Sequence, residues 1–311
     1  MFFLAFLGSC LTSSAYGQQK MTLKLPDQET KLSEVTIETT INHPEKAERK
    51  AHHEKTSSII VISNKNQTIN ETKATFHYDA LSYEKYLKGR NGGDSIIVSD
   101  TRKGGQFFAN ILRNAVGTPF SANFDAKGRI KKMSGIDTLS KNVFKTVMRK
   151  TDERARKSFE HRVDELFGER YAKGILETLC ATLPDSMVKE GGNWMQTTNN
   201  LCGLSAKFET QYQLVKINGN IYTIKGTSKI SDGESGTFYS ENGVGQSLNE
   251  TEGTAKLTLE IDINTGIVKS GNIEMQFSAK ANSLNLNGEN SGAPAQKISV
   301  ESKSTITPVQ Q

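Results

Sequence analysis

The chain of 311 residues carries 39 basic and 34 acidic side chains, a formal charge of +5, with 35% hydrophobic and 7% aromatic residues. That length holds one large domain or two small ones, and the apolar content, though modest, exceeds that of a disordered chain. Six Pro and 26 Gly exclude a collagen-like or proline-rich architecture. The longest apolar run, Met1 to Leu7, falls far short of the roughly 20 residues of a membrane-spanning helix.

The first seventeen residues follow that apolar run with small side chains, and Ala15 and Gly17 stand at the spacing a signal peptidase reads. Residues 1–17 are therefore expected to be a signal peptide cut before Gln18, although a basic n-region is missing. Leu7-Gly8-Ser9-Cys10 competes as a lipobox, which would make Cys10 a point of lipid attachment. Either cut implies an exported protein: periplasmic, secreted or membrane-anchored through a lipid. In an oxidising compartment the remaining pair, Cys180 and Cys202, is a candidate disulfide, and two buried thiols that never meet are the alternative.

From 18 to 134 the pattern predicts an N-terminal β region. Val35 and Ile37 alternate with polar neighbours, Ile59 to Ile62 and Ile96 to Val98 are compact β-branched runs, and Ala109 to Leu112 leads towards Thr118-Pro119-Phe120. Asn91-Gly92-Gly93-Asp94 and Asp125-Ala126-Lys127-Gly128 read as turns, and the polar stretch His43 to Lys55 as an exposed loop or short solvated helix. From 135 to 182 the period becomes helical. Leu139, Val143, Val147, Ala155, Phe159, Val163 and Leu166 fall on one stripe, Gly168 ends it, and Tyr171 to Cys180 forms a second helix stopped by Pro184. From 183 to 311 a C-terminal β region follows. Asn218-Gly219 is a strong hairpin signal, Ser231 to Glu252 reads as an aperiodic loop, and Ala255 to Ile263 and Ile273 to Phe277 alternate cleanly. The predicted class is α+β: a mainly antiparallel sheet, curved or half-barrel, with two central helices packed on one face, as one composite domain or two closely packed halves.

Several short phrases follow one another along the chain: Gly117-Thr118-Pro119-Phe120, Asp125-x-x-Gly128-x-Ile130, Gly135-x-Asp137, Phe167-Gly168, Leu183-Pro184, Val188 with Gly192-x-Trp194, and Ile261-Asp262-x-x-Thr265-Gly266. Their order and spacing resemble a family of exported proteins of Bacteroidota-type bacteria known as a domain of unknown function. The resemblance implies an exported or lipid-anchored, mostly antiparallel β protein, and it supplies no catalytic residues.

The chemistry legible in the residues is sparse. His43, His52 and His53 with Glu54 are the nearest approach to a metal cluster, yet no pair has a supporting apolar shell, and the plain reading is a solvated loop. Asp262-x-Asn264-x-Gly266 copies the opening of a calcium loop, but Ile273 stands where the bidentate acid belongs, so a β-turn is expected. No nucleophile elbow, phosphate loop, zinc-protease or dinucleotide motif is present. We therefore expect no enzyme, cofactor or metal. Trp194 is expected to anchor the core. Asp94-Ser95-Ile96, Asp137-Thr138-Leu139 and Asp185-Ser186-Met187 match a loose O-glycosylation pattern.

Between Ala126 and Gly174 fourteen Lys or Arg face seven Asp or Glu, which leaves the rest of the chain at 5 − 7 = −2. Lys141, Lys145 and Arg149 step by four and form a positive rail suited to an anionic surface, with a solvated helix face as the plain alternative. Nucleic acid is a poor candidate partner for a chain expected to be exported. Two functions follow: a non-enzymatic envelope protein that binds an apolar or lipid-like ligand under the helices, or a recognition module acting through the loops Ser231 to Glu252 and Ser283 to Ala295.

Overall fold

The computed structural model describes residues 20–44, 52–67, 71–88, 94–103, 107–125, 128–145, 166–180, 183–184, 186–233, 237–241, 244–284 and 291–309. Fourteen strands run in chain order: β1 Thr30–Lys31, β2 Glu34–Asn42, β3 His52–Gln67, β4 Glu71–Lys88, β5 Asp94–Asp100, β6 Phe120–Asp125, β7 Ile130–Ser134, β8 Asn193–Leu201, β9 Leu204–Asn218, β10 Ile221–Ser231, β11 Thr237–Glu241, β12 Val244–Asp262, β13 Val268–Ser283 and β14 Gln296–Thr307. Helices α1 Phe107–Arg113, α2 Ile136–Lys145 and α3 Glu169–Cys180 interrupt them.

All the strands belong to one sheet in the order β7-β6-β4-β3-β2-β14-β13-β12-β10-β9-β8, with β1 on β3, β5 on β4 and β11 on β12, every pairing antiparallel. The β2–β14 pairing joins the N- and C-terminal β regions into one surface. The sheet does not close, since β7 and β8 are its free ends. Eleven strands at about 4.8 Å would span roughly 50 Å if flat, whereas a 12-residue helix is about 18 Å long. Yet α3 contacts β7, β8, β9 and β13, so the sheet curls around it and the helix lies across the gap between the two free edges.

Register is written into both faces. Inside, Val35, Ile37 and Ile41 of β2, Ile273, Met275, Phe277 and Ala279 of β13, and Ile298 and Val300 of β14 alternate into one hydrophobic core. Outside, Glu84, Lys55, Glu38, Lys303, Glu274 and Lys256 are successive cross-strand partners over β4, β3, β2, β14, β13 and β12. Their signs alternate without exception, and a one-residue slip of any strand would break this row and turn that strand's apolar set to water. Lys55 and Glu38 form an ion pair at 2.9 Å. A charged outer face with an apolar interior is the reverse of the arrangement in a barrel facing lipid.

One end of the sheet is stopped by the segment that precedes β1. Met21, Leu23 and Leu25 are buried, and the Lys24 amide donates to the Thr265 carbonyl at 2.7 Å. The turns Asp125 to Gly128 and Asp262 to Gly266 lie at this end, closing β6–β7 and β12–β13, with Gly128 and Gly266 at φ 77 and 71. Both glycines abut Leu23, where a Cβ would meet backbone at 2.2 Å from Cys180 O and 2.7 Å from Thr22 O respectively, so the left-handed conformation and the close approach both require glycine there.

Three local expectations are corrected. Ala109 to Leu112 lies in helix α1, with Ala109, Ile111 and Leu112 buried, rather than in a strand. Ser231 to Glu252 is largely strand: β11 pairs β12 from Thr237↔Leu248 to Glu241↔Val244, because hairpin pairing and not side-chain periodicity carries it. Of the stretch His43 to Lys55, residues from His52 onward are β3, and His43, His52 and Glu54 are buried. The α2 helix packs on α1, which reaches β4 and β5.

Candidate functional site

The inward face of the sheet is mostly apolar, with small hydroxyl residues such as Ser228 of β10 and Ser304 of β14 buried in it, and its buried charges lie near the start of β3. There, alternation places His52, Glu54, Thr56 and Ser58 on the core side, and β4 supplies Tyr83 and Lys85 as the cross-strand partners of Thr56 and Glu54. Glu54, His52 and Lys85 are each no more than 8% exposed. Glu54 Oε1 accepts the Tyr83 hydroxyl at 3.1 Å, lies 3.4 Å from Lys85 Nζ and contacts His52 Nε2. A carboxylate and an ammonium withdrawn from water are tolerable here because each faces the other and the carboxylate is hydrogen-bonded besides.

This cluster borders a cavity of about 130 Å³ lined by Ile37, Leu166, Leu204, Leu248, Met275, Phe277 and Val300, with Glu54, Thr56, Arg170 and Ser302 also on its lining. The helix segment leading into α3 forms one wall. Tyr171, fully buried, donates its hydroxyl to Ser58 Oγ at 3.2 Å, and burial pushes that phenol's pKa up. The β8–β9 turn forms another wall, its Cys202 amide donating to Thr178 Oγ1 at 3.0 Å.

Both cysteines are free and buried, the second of the two readings the sequence left open. The α3 side chain facing Cys202 is Thr178, whose hydroxyl lies 3.7 Å from Cys202 Sγ. Cys180, two residues on, is rotated about 200° around the helix. Burial pushes the Cys180 thiol up to about 12 and raises that of Cys202 as well, so Cys202 borders the cavity as a small apolar side chain with no thiolate character at neutral pH.

The other sequence candidates are dispersed. His52 points inward, while His53 lies on the outer face, Nδ1 3.1 Å from Thr40 Oγ1 and its ring 4.9 Å from that of Tyr86. The histidine pair is therefore split across the sheet, and among the described residues no three His, Cys, Asp or Glu side chains are grouped to hold a metal. Asp262 Oδ1 accepts the amides of Asn264 and Thr265 at 2.8 and 3.2 Å, a hairpin turn. Trp194 is partly buried against the core and stacks on Tyr212, centroids 5.3 Å apart. Lys141 is exposed and pairs with Asp137 at 3.1 Å, which lowers the Asp137 carboxyl pKa. Lys145 ends α2, and Arg149 and Cys10 lie outside the described residues. Asp94-Ser95-Ile96 begins β5.

Tyr83, Lys85 and Arg170 were not legible as site residues, and Glu54 was legible only beside the histidines. The signal was the alternation His52-x-Glu54-x-Thr56-x-Ser58 running into Ile60, which puts polar groups on the face that later carries the core.

No curated protein matches the chain. Among solved structures, an outer membrane channel from Pseudomonas putida F1 aligns at 7% identity over 92% of this chain and 97% of that one, with a TM-score of 0.20, too low to indicate a shared fold. A family model described as a family of unknown function, DUF6263, matches residues 70–268, more than half of the sequence, and takes in β4 to β12 with all three helices. The chain belongs to that family of unknown function.

Proposed function

We propose that this is an exported, non-enzymatic envelope protein that binds a small apolar ligand in the cavity between α3 and the inner face of the sheet. The carrying observation is the cavity itself: seven apolar side chains around about 130 Å³, with a smaller number of polar groups among them. Binding sites for small molecules have this composition, a largely apolar lining with a few placed polar groups that orient the occupant. The volume suits a short chain or single ring, or one end of a longer molecule, rather than a whole lipid. A binding role also fits the buried groups nearby, since Cys202 has its thiol pushed up and Glu54 is committed to Tyr83 and Lys85.

Native mass spectrometry with solvent extraction of the protein isolated from its own cells tests this. A co-purifying apolar molecule, absent from Phe277→Trp, is the expected result. An empty protein, with no binding of added short-chain or single-ring compounds, overturns it. Recognition through surface contacts is the second reading, favoured by the exposed Met195 on edge strand β8 and Met187 in the segment before it, 68% and 56% exposed.

A further inference from the structure

We infer that the outer edge of β8 is a docking site for an extended segment of a partner protein, which adds to the sheet antiparallel to β8 and carries acidic side chains towards its N-terminal end. Docking there does not depend on the cavity or its occupant; it gives surface recognition a place and a partner class. Ten antiparallel pairings lead from β7 to β8, and an even number leaves these two edge strands running in the same direction. β7 therefore cannot close the sheet on β8 in the antiparallel mode of every other pairing, and among the described residues no strand covers the β8 edge.

The register shows which groups this edge offers. The Leu214 amide donates to the Gly192 carbonyl at 3.0 Å, and pairing continues without a shift from Asn193↔Gln213 to Thr198↔Phe208. In this phase Trp194 and Gln196 turn their backbone groups to β9, whereas Asn193, Met195 and Thr197 turn theirs to the open edge. These three residues are exposed. Free edges are ordinarily blunted by charge, proline or shortness. β7 follows that rule, with five residues, exposed Lys131 and Lys132, and an Ile130 amide taken by Glu177. β8 breaks it: nine residues long, it lies in the uncharged, proline-free stretch Gly191 to Ala206.

Charge selects the partner. The C-terminal half of β8 borders a groove of about 340 Å³, with Thr197 to Asn200 on its lining together with Arg129 and Lys131 of the β6–β7 hairpin and Lys173 and Glu177 of α3. Asp125 pairs with Arg129 at 2.9 Å, so two lysines stand in the groove against the one carboxylate of Glu177, an excess of positive charge. A segment antiparallel to β8 brings its N-terminal end here. Acids at that end meet the lysines, and uncharged residues follow along Thr197 to Asn193.

Residue-resolved amide exchange by NMR, with two peptides, separates the outcomes: one of two glutamates followed by alternating threonine and valine, the other with lysines in place of the glutamates. Without peptide, the amides of Asn193, Met195 and Thr197 should exchange at least about tenfold faster than those of Trp194 and Gln196, which are bonded to β9. The glutamate peptide should slow the three outward amides and bind about fivefold more tightly than the lysine peptide at low ionic strength. Met195→Pro removes an outward amide and no β8–β9 bond, so it should keep the parent's melting temperature and lose the peptide. Outward amides already slow in the peptide-free protein, with a doubled mass in solution, overturn the inference in favour of pairing between two copies. Equal affinity of the two peptides overturns the acidic partner. Binding that leaves the three amides unprotected overturns edge pairing while leaving surface recognition in place, and failure of both peptides to bind overturns the docking site itself.

Discussion

Glu177 Oε1, on α3, accepts the backbone amide of Ile130, the first residue of the free edge strand β7, at 3.3 Å. The same carboxyl group hydrogen-bonds the Asn200 side chain on β8, the other free edge. One helical side chain thus bridges the two ends of a sheet that never meet through backbone pairing, and α3 acts as the closing element of the fold. A helix can do this where a strand cannot, because its own backbone groups are already paired and its side chains are free to reach both edges.

Burial raises the Glu177 pKa, and the nearby Lys173 and Arg129 charges oppose that only in part. A folded-state pKa above the unfolded value means that this group's contribution to stability is complete below the unfolded pKa, about 4.3, and declines as pH rises through the folded one. Glu177→Gln keeps an acceptor for Ile130 and carries no charge. Its stability relative to the parent should therefore rise between pH 4 and pH 8 in thermal unfolding. A difference independent of pH would show that ionisation of Glu177 does not matter to the seam.

Gly174 of α3 lies against the β8–β9 turn so closely that a Cβ would fall 2.5 Å from Gly203 N and 2.9 Å from its Cα. In an open helix Gly→Ala is favourable by up to about 1 kcal/mol. Here the backbone contact should reverse the sign, and Gly174→Ala is expected to cost about 1–3 kcal/mol in urea unfolding. A stabilised variant would mean that α3 sits further from the turn.

Glu54 and Lys85 distinguish removing a pair from breaking one. Glu54→Ala leaves Lys85, 7% exposed, without its carboxylate, and a loss of about 3–5 kcal/mol is expected. Replacing both, by Glu54→Leu with Lys85→Met, should cost far less. Equal losses in the single and double variants, measured by urea unfolding, would refute the charge pairing.

The two thiols are both buried and free. Neither should react with Ellman's reagent in the native protein, and both should react in guanidinium with no reductant present. Two thiols that stay unreactive until reduced would establish the bridge that the structure lacks.

The outer charge row gives a register test. Lys303 stands directly opposite Glu38 and Glu274, so Lys303→Glu places three acids in a line. Each like-charged pair costs about 0.2–1 kcal/mol at exposed positions, less as salt is added. The melting temperature should fall at low ionic strength and recover partly in 1 M salt, and Glu38→Lys should restore part of it. An unchanged melting temperature would mean that the row does not help to set strand register.

The strands with clean alternation were legible in the sequence because a sheet with one wet face and one buried face writes its period into the residues: Ala255 to Ile261, Ile273 to Phe277, and the Asn218-Gly219 hairpin stand where they were expected. The family resemblance was legible for a similar reason. Its phrases are turns such as Asp125 to Gly128 and Asp262 to Gly266, whose side-chain to backbone hydrogen bonds are local and leave a residue signature. What tertiary structure alone decided is which strands meet and what they enclose. His52 and Glu54 looked solvated because a polar residue carries no record of whether a partner 31 positions away, as Lys85 is from Glu54, will sit across the strand. The two cysteines looked like a pair because sequence separation is blind to helical phase, and the phase puts Thr178, not Cys180, against Cys202. The cavity, likewise, draws its walls from β2, β3, β12, β13, β14, α3 and the β8–β9 turn. No local pattern encodes a space between elements so distant in the chain, since only the curl of the sheet around α3 brings them together.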